Sequence, residues 1–266
     1  MVGHRLPRIV KLLLATFFGL ALFAPLPYVV LTPGNAQDVL QEIIAPAEKS
    51  DKTPIFYPAD GKIFLLTILI SNPSAYVTGA ELIYSWMRSD YAVMPRSLFY
   101  EDGRSAKAEL EIAKTEMVDS QLNSKIAALN FLRANRPSPN YQSTKPEDID
   151  IGLAKTGGPS AGLAFALGIV ELLTPENMLA GRSVAVTGTI DKAGNVGGIG
   201  GIAEKILAAD KAGATFFIVP LSNCSDLAPG IARIPAGMKI AAVANLTEAV
   251  AALNSEDPRG CANLGA

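Results

Sequence analysis

The longest apolar stretch in the pattern of hydrophobic and polar positions lies near the N-terminus. Residues 12–31 contain no charged side chain, and a run of 20 residues is long enough to cross a bilayer. The flank before it, residues 1–11, contains His4, Arg5, Arg8 and Lys11. By the positive-inside rule we expect a cytoplasmic flank, a single-pass anchor over 12–31 and an extracytoplasmic remainder. The alternative is a signal peptide that is cleaved near residues 34–36.

After the anchor, the pattern predicts an extracytoplasmic N-terminal region, 32–104, and then a helical segment with a polar loop, 105–148. In the first, β-branched and aromatic residues are dense from Lys62 to Ile70, which predicts a buried strand. In the second, residues 105–134 lack proline and glycine and space their apolar side chains as one or two amphipathic helices do. The prolines and polar residues of 136–148 predict a loop.

From residue 149 onward, short apolar runs alternate with helical periodicity. We predict strands at 149–153, 183–190, 215–220 and 239–243, and helices opened by Ser160, at 202–212 and at 246–253. This alternation predicts mixed α and β layers around one core, an α/β (α+β) domain over 149–255. A C-terminal tail, 256–266, follows it.

Composition narrows the class of protein. With 266 residues, of which 49% are hydrophobic, the chain can bury at least one substantial core. The net charge is −2 and no basic cluster lies beyond the N-terminus, which argues against nucleic acid as a partner. The only two cysteines, Cys224 and Cys261, follow the predicted anchor. In an oxidising compartment a disulfide between them would fasten the C-terminal tail, and two separate thiols are the alternative.

The histidine content restricts the chemistry further. His4 is the only histidine, and it precedes the predicted anchor. The outer domain therefore cannot contain a Ser–His–Asp triad or a histidine zinc site, and a cysteine nucleophile would lack a histidine to activate it. A hydrolase built on this chain needs lysine, a carboxylate or the α-amine as its base. We expect no metal and no cofactor, and the absence of a GxxxxGK[ST] motif argues against ATP.

A serine stands before an almost wholly apolar run that has no charge until Glu171. The predicted oxyanion loop around it consists of Gly157, Gly158, Pro159 and Ala161. Two glycines permit close backbone approach, and Pro159 suits the first position of a helix. Ser160 would then lie in the first turn, where unpaired N–H groups favour a developing oxyanion. Two alternatives are that Ser160 caps a buried helix and that the loop binds phosphate.

Among the lysines, Lys205 has unusually small neighbours on its predicted helix. They are Gly201, Ala208, Ala209 and Ala212. Such neighbours let another element approach and remove water from the amine, which lowers a lysine pKa by up to about 3–5 when burial is complete. A neutral amine can act as a general base. The alternative is a solvated lysine on an ordinary helix.

Three segments, 157–163, 187–190 and 194–209, closely resemble the proteolytic domain of Lon-type peptidases, and 218–224 adds a similar strand, proline and asparagine. The resemblance covers about 149–253. It implies a Ser–Lys dyad in which Ser160 is the nucleophile, Lys205 is the base and Thr187 orients the lysine. It also implies a ribosomal S5 domain 2-like fold, protein or peptide substrates, and homo-oligomeric rings that are often hexameric in the family.

The predicted anchor, residues 28–34 and residues 117–121 are similar to the membrane-bound, extracytoplasmic Lon-like proteases of bacteria. Such relatives usually contain a PDZ domain before the serine motif, but only 16 residues separate Leu132 from Ile149. The sequence also has no counterpart of the ATPase module of cytoplasmic Lon enzymes, so the resemblance implies ATP-independent proteolysis. The alternatives are a catalytically silent, membrane-tethered binding or assembly module with the same fold, and a small-molecule kinase of a related fold.

Overall fold

The computed structural model describes residues 7–48, 54–101, 103–136, 138–153, 156–227 and 233–261. Its helices are α1 Arg8–Phe23, α2 Val39–Glu42, α3 Gly79–Trp86, α4 Ala106–Asn135, α5 Pro139–Gln142, α6 Gly162–Leu173, α7 Ile202–Lys211 and α8 Leu246–Leu253. Its strands are β1 Pro25–Leu26, β2 Tyr28–Asp38, β3 Ile44–Pro46, β4 Lys62–Ile70, β5 Val77–Thr78, β6 Ala92–Pro95, β7 Ile149–Ile151, β8 Ser183–Val186, β9 Thr189–Ile190, β10 Val196–Gly197, β11 Phe216–Pro220 and β12 Lys239–Val243. Short 3₁₀ helices occupy Arg96–Leu98, Pro146–Asp148 and Leu221–Leu227.

The chain divides into two compact units. Unit 1 consists of Met1–Thr32 and Leu69–Glu109, and unit 2 consists of Pro33–Ile68 and Leu110–Ala266. In unit 1, β1 pairs antiparallel with β5, and β6 pairs antiparallel with the first residues of β2. The helix α3 begins with a capping box, in which Thr78 and Glu81 satisfy each other's backbone amides. This cap explains why the helix begins where it does.

The prediction of one apolar helix over 12–31 is wrong in its second half. The helix α1 ends at Phe23, and Ala24 is extended with ψ of 140°. A proline disfavours helical geometry in the residue before it, so Pro25 ends the helix although the sequence stays apolar. The chain then continues as β1 and β2. Within the described ranges, no helix combines the length and the apolarity that crossing a membrane requires.

Unit 2 is built on a sheet in which neighbouring strands follow the order β12–β11–β8–β4–β2. β11 runs parallel to β12 and to β8, and β8 runs parallel to β4. Both faces of such a sheet are covered, because alternate side chains of its strands enter two separate apolar clusters. Val184, Val186 and Ile218 belong to the cluster that contains α6 and α8, and Ala185 and Phe217 belong to the one that contains α7. The mixed α/β architecture is therefore confirmed.

The helix α6 is the centre of the larger cluster, since all 12 of its residues are buried. The second half of α4 packs in the same cluster through Ala128, Leu129 and Leu132. The sequence placed this helix in a segment before the domain, and the structure places it in the core of unit 2. Residues 105–134, predicted as one or two helices, form the single helix α4.

A disulfide joins Cys224, in the 3₁₀ helix Leu221–Leu227, to Cys261 in the C-terminal tail, with a Cα–Cα distance of 5.3 Å. The tail also bonds to β12, because the amide of Ala242 donates to the carbonyl of Arg259 at 2.8 Å. The described part of the tail is therefore fastened to unit 2 by one covalent bond and by hydrogen bonds.

Removing this disulfide is expected to lower the free energy of unfolding by about 2–4 kcal/mol, since the cross-link restricts a long loop in the unfolded chain. The sequence separation that it closes is 37 residues. Urea denaturation with and without dithiothreitol measures the loss. A Cys224→Ala/Cys261→Ala variant should match the reduced protein and should not respond to dithiothreitol. Equal midpoints for oxidised and reduced protein would contradict a stabilising cross-link.

Candidate active site

The loop before α6 lies against α4. The amide of Gly158 donates to the carbonyl of Ala113 at 2.8 Å, and Gly158 has φ of +86°, which favours glycine. A Cβ at Gly157 would lie 2.8 Å from the Cβ of Ala113, so a side chain there would displace the helix. The hydroxyl of Ser120 donates to the carbonyl of Pro159 at 3.0 Å. The helix α4 thus fixes the loop, and the two glycines allow the close approach.

The helix α6 begins later than the sequence predicted. Pro159 was expected at the first helical position and Ser160 in the first turn, but both precede Gly162, and Ala161 is the N-cap residue. The amide of Gly162 donates to the carbonyl of Pro159 at 3.2 Å. This bond spans three residues, as in a tight turn, rather than the four of an α-helix. Within the described residues no side chain caps α6, so the capping interpretation of Ser160 is wrong.

Ser160 is bonded to the segment that follows β8. Its carbonyl accepts from the amide of Gly188 at 3.0 Å and from the hydroxyl of Thr187 at 3.4 Å. The carbonyl of Gly188 in turn accepts from the amide of Leu163 at 3.0 Å. Because these groups bond to the loop, the strand predicted at 183–190 divides into β8 and β9. The serine is thereby held at the end of a buried strand.

Lys205 extends from α7 to Ser160 and Thr187. Its Nζ lies 2.8 Å from Oγ of Ser160 and 3.0 Å from Oγ1 of Thr187. Lys205 is 1% exposed and Thr187 is 0% exposed. The structure therefore brings together the three residues to which the resemblance assigns the roles of nucleophile, base and orienting group.

Burial changes the protonation of this lysine. It lowers the pKa of Lys205 to about 7, because the loss of water around the amine disfavours the ammonium form. Two of the small residues of α7, Ala208 and Ala209, are buried in the apolar cluster that contains this helix. At neutral pH a large fraction of the amine is uncharged, and its lone pair can accept the proton of Ser160.

The residue before Lys205 on α7 is also an ionisable group that the fold buries. The adjacent Glu204 is buried, and desolvation raises the pKa of its carboxyl. Across the part of the chain that the structure describes, no group of three or more His, Cys, Asp or Glu side chains could hold a metal ion.

The amides next to Ser160 are the candidates for an oxyanion site. Gly158 already donates to Ala113, and Pro159 has no N–H, so neither of these predicted loop residues can donate to an oxyanion. The amides of Ser160 and Ala161 donate to no acceptor among the described residues. Both lie at the N-terminal end of α6, where the helix dipole favours negative charge.

Two contacts fix the position of α7 and its lysine. Gly201, the residue before the helix, has φ of +68°, and a Cβ there would lie 2.7 Å from Cδ1 of Ile68. The side-chain amide of Asn223 accepts from the amide of Ile199 at 2.9 Å and donates to its carbonyl at 2.8 Å. Asn223 therefore holds the backbone of Ile199, and the close approach of Ile68 restricts Gly201, the last residue before α7.

Sequence reasoning did not assign a role to three of these supporting residues. Ser120 and Ser124 lie four residues apart on the buried side of α4, and Ser124 donates to the carbonyl of Gly162 at 2.8 Å. Asn223 was noted only as part of a similar segment. The sequence signal that could have identified the two serines is their spacing of four residues on an otherwise apolar helix face.

The fold and the site define a class of mixed α/β domains in which a buried, partly neutral lysine faces a serine hydroxyl at the start of a helix. Residues 104–255 match the family model described as the Lon protease (S16) C-terminal proteolytic domain. The match covers more than half of the chain, and the chain belongs to this family. The matched region begins at residue 104, well before residue 149, where the sequence analysis placed the start of the domain. It thus includes α4, which supports the serine loop.

Comparison with curated proteins gives the same family. The chain is 33% identical over 150 residues to Lon protease of Rickettsia typhi, covering 54% of this chain and 19% of that protein. It is 36% identical over 118 residues to Lon protease 2 of Herpetosiphon aurantiacus, covering 42% of this chain and 14% of that protein. The chain thus spans about a fifth or less of the length of these relatives.

Proposed function

We propose that the chain is an ATP-independent serine endopeptidase in which Ser160 is the nucleophile and Lys205 is the general base. The observation that carries the proposal is the 2.8 Å contact between a buried amine and the serine hydroxyl. Membership of the Lon proteolytic domain family supports protein or peptide substrates. Burial supports the neutral amine that a base requires, because it lowers the pKa of Lys205 to about 7.

The proposed reaction has two halves. The neutral amine of Lys205 takes the proton of Ser160, and Oγ attacks the scissile carbonyl carbon. The oxyanion that forms accepts hydrogen bonds from the amides of Ser160 and Ala161. The ammonium of Lys205 then gives its proton to the departing amine, which leaves an acyl-enzyme. Water attacks the acyl carbon, Lys205 takes a proton from it, and the second collapse returns the proton to Ser160 and releases the acid.

Thr187 is proposed as a positioning residue for the base. Its hydroxyl accepts from Lys205 and can donate to the carbonyl of Ser160, so it links the amine to the backbone of the nucleophile. Such a bridge restricts the rotamers of a long side chain, which is needed for proton transfer over hydrogen-bond distance.

We further propose that the domain functions on the extracytoplasmic side of a membrane. The disulfide between Cys224 and Cys261 supports an oxidising compartment, since such bonds are rare in reducing ones. The resemblance to extracytoplasmic Lon-like proteases supports the same location and a homo-oligomer, with a hexameric ring as the family arrangement. We propose attachment to the membrane through α1, whose apolar side chains are exposed.

Covalent labelling distinguishes this peptidase from a silent binding module of the same fold. A fluorescent fluorophosphonate, incubated with the purified full chain, is expected to modify Ser160, and mass spectrometry identifies the modified peptide. Ser160→Ala should remove the label, and Lys205→Ala should slow it at least about tenfold because the hydroxyl loses its base. The matched control is Ser222→Ala, an exposed serine of the same unit, which should label normally. A folded wild-type chain that takes no label at Ser160 would favour the binding module.

A further inference from the structure

The hydroxyl of Ser120 is a buried polar group that the proposed reaction does not use. Ser120 lies on α4 and is 4% exposed, and its hydroxyl donates to the carbonyl of Pro159 at 3.0 Å. A Cβ at Gly162 would lie 2.8 Å from Oγ of Ser120, so the glycine at the start of α6 leaves the room that this contact needs. A hydrogen bond that is shielded from water in this way is electrostatically stronger than one in solvent.

The carbonyl that Ser120 holds belongs to the peptide group before the nucleophile. The peptide bond between Pro159 and Ser160 is trans, and in a planar trans peptide the C=O and the N–H point in opposite directions. Fixing the carbonyl of Pro159 towards Ser120 therefore aims the amide of Ser160 away from α4. This amide is one of the two next to the nucleophile that donate to no acceptor among the described residues.

The second of these amides is held in the same way. It belongs to the peptide group between Ser160 and Ala161, whose carbonyl accepts from the amide of Gly188 at 3.0 Å. Both candidate oxyanion donors are therefore parts of peptide groups whose carbonyls are fixed by other elements. One is fixed from α4, and the other from the segment between β8 and β9. Donors that are oriented in advance stabilise a developing charge without reorganising during the reaction.

We propose that Ser120 is a positioning residue for the oxyanion site, because its bond to the carbonyl of Pro159 orients and polarises the amide of Ser160. Hydrogen bonds in series strengthen each other, so a carbonyl that accepts a bond makes the N–H of the same peptide group a better donor. The hydroxyl acts through this peptide group rather than on the substrate. The inference rests on the proposed peptidase function, since the charge that it concerns develops only in the transition state of that reaction.

A purely structural role of Ser120 would have a different consequence. The carbonyl of Pro159 also accepts from the amide of Gly162 at 3.2 Å, so the turn keeps one bond when the hydroxyl is removed. We therefore expect Ser120→Ala to fold. If Ser120 only held the loop in place, its loss would weaken binding of the substrate and of the transition state alike. Loss of an oriented oxyanion donor instead lowers kcat and leaves KM unchanged.

The experiment compares peptide hydrolysis with inhibition by a peptide boronate. Oγ of Ser160 adds to the trigonal boron while Lys205 takes its proton, and an oxygen of the negatively charged tetrahedral adduct occupies the oxyanion position. Ser120→Ala should lower kcat and kcat/KM equally, about tenfold, because losing a whole donor costs about 100- to 1,000-fold and here the donor is only misaligned. The inhibition constant of the boronate should rise about tenfold for the same reason, while KM changes less than about twofold.

The pH dependence and a matched variant supply the controls. The midpoint of the kcat/KM profile should stay at about 7 in Ser120→Ala, since the base is not changed. Thr174→Val removes another buried hydroxyl, which donates to the carbonyl of Val170 at 2.8 Å near the far end of α6. This variant should keep the wild-type inhibition constant. Urea denaturation compares the loss of stability in the two variants.

Two outcomes would overturn the inference alone. One is boronate inhibition of Ser120→Ala within about twofold of the wild type, which would show that the hydroxyl does not support the oxyanion site. The other is a loss of the same size in Thr174→Val, which would make it a general effect of removing a buried hydroxyl. A wild-type chain that neither hydrolyses peptides nor binds the boronate through Ser160 would overturn the peptidase function as well, so the two failures are distinguishable.

Discussion

The Ser160→Ala variant is expected to hydrolyse an unfolded protein substrate at least about 1,000-fold more slowly than the wild-type chain, because the only group placed to attack the carbonyl is removed. The hydroxyl caps no helix, and the backbone bonds of Ser160 to Gly188 do not involve the side chain. Removing the hydroxyl leaves the amine of Lys205 bonded to Thr187, so stability should fall by no more than about 1–3 kcal/mol. Fluorescence of a labelled casein measures the rate, and urea denaturation measures the stability.

Two controls sharpen this result. Ser222→Ala should retain the wild-type rate, which excludes a general effect of removing a hydroxyl from this unit. A contaminating protease would produce equal residual rates in all preparations, so the inactive variant also sets the background. If purified Ser160→Ala cleaved the substrate as fast as the wild type, Ser160 would not be the nucleophile.

The second large effect concerns Lys205. We expect kcat/KM to rise with pH through about 7 and to level off above it, because the base must be neutral and burial lowers the pKa of Lys205 in the free enzyme to about 7. As pH falls through this value the amine is protonated, and the rate should fall about tenfold for each pH unit. Measuring kcat/KM between about pH 5 and pH 9 with a fluorogenic peptide gives the profile.

Substitutions test whether this titration belongs to Lys205. Lys205→Arg keeps a long cationic side chain, but the guanidinium stays protonated and cannot serve as a base, so the rate should fall at least about 1,000-fold. Lys211→Ala, at an exposed lysine of the same helix, should leave both the rate and the profile unchanged. A flat profile across this range, or an active Lys205→Arg variant, would exclude Lys205 as the base.

Much of unit 2 could be predicted from periodicity. The strand expected from Lys62 to Ile70 is β4, the one at 239–243 is β12, and the helix at 246–253 is α8. In each case an apolar run of the right length ends at turn residues, so local pattern and tertiary packing agree. The pairing of Ser160 with Lys205 followed from the resemblance, since no local pattern links residues that are 45 positions apart.

The wrong predictions have physical causes that a sequence pattern does not contain. Hydrophobicity alone extended the N-terminal helix to residue 31, but the geometry before Pro25 stops it at Phe23. The start of α6 depends on the turn between Pro159 and Gly162 and on its contact with α4. The sequence also could not show which amides are left to bind an oxyanion. That depends on the hydrogen bond from the amide of Gly158 to a helix that is distant in the sequence.

The buried amine of Lys205 also links folding to acidity. In the unfolded chain this lysine has its ordinary pKa of 10.5, and in the fold the value is about 7, so the unfolded chain binds more protons between these limits. Conformational stability attributable to this group therefore increases as the solution becomes more alkaline across that window. Below it the full penalty applies, about 5 kcal/mol for a pKa that falls from 10.5 to about 7. Stability is therefore lost as pH falls from about 10.5 to about 7, and the dyad is protonated as pH falls through about 7 and below, so acidification first weakens the fold and then inactivates the site.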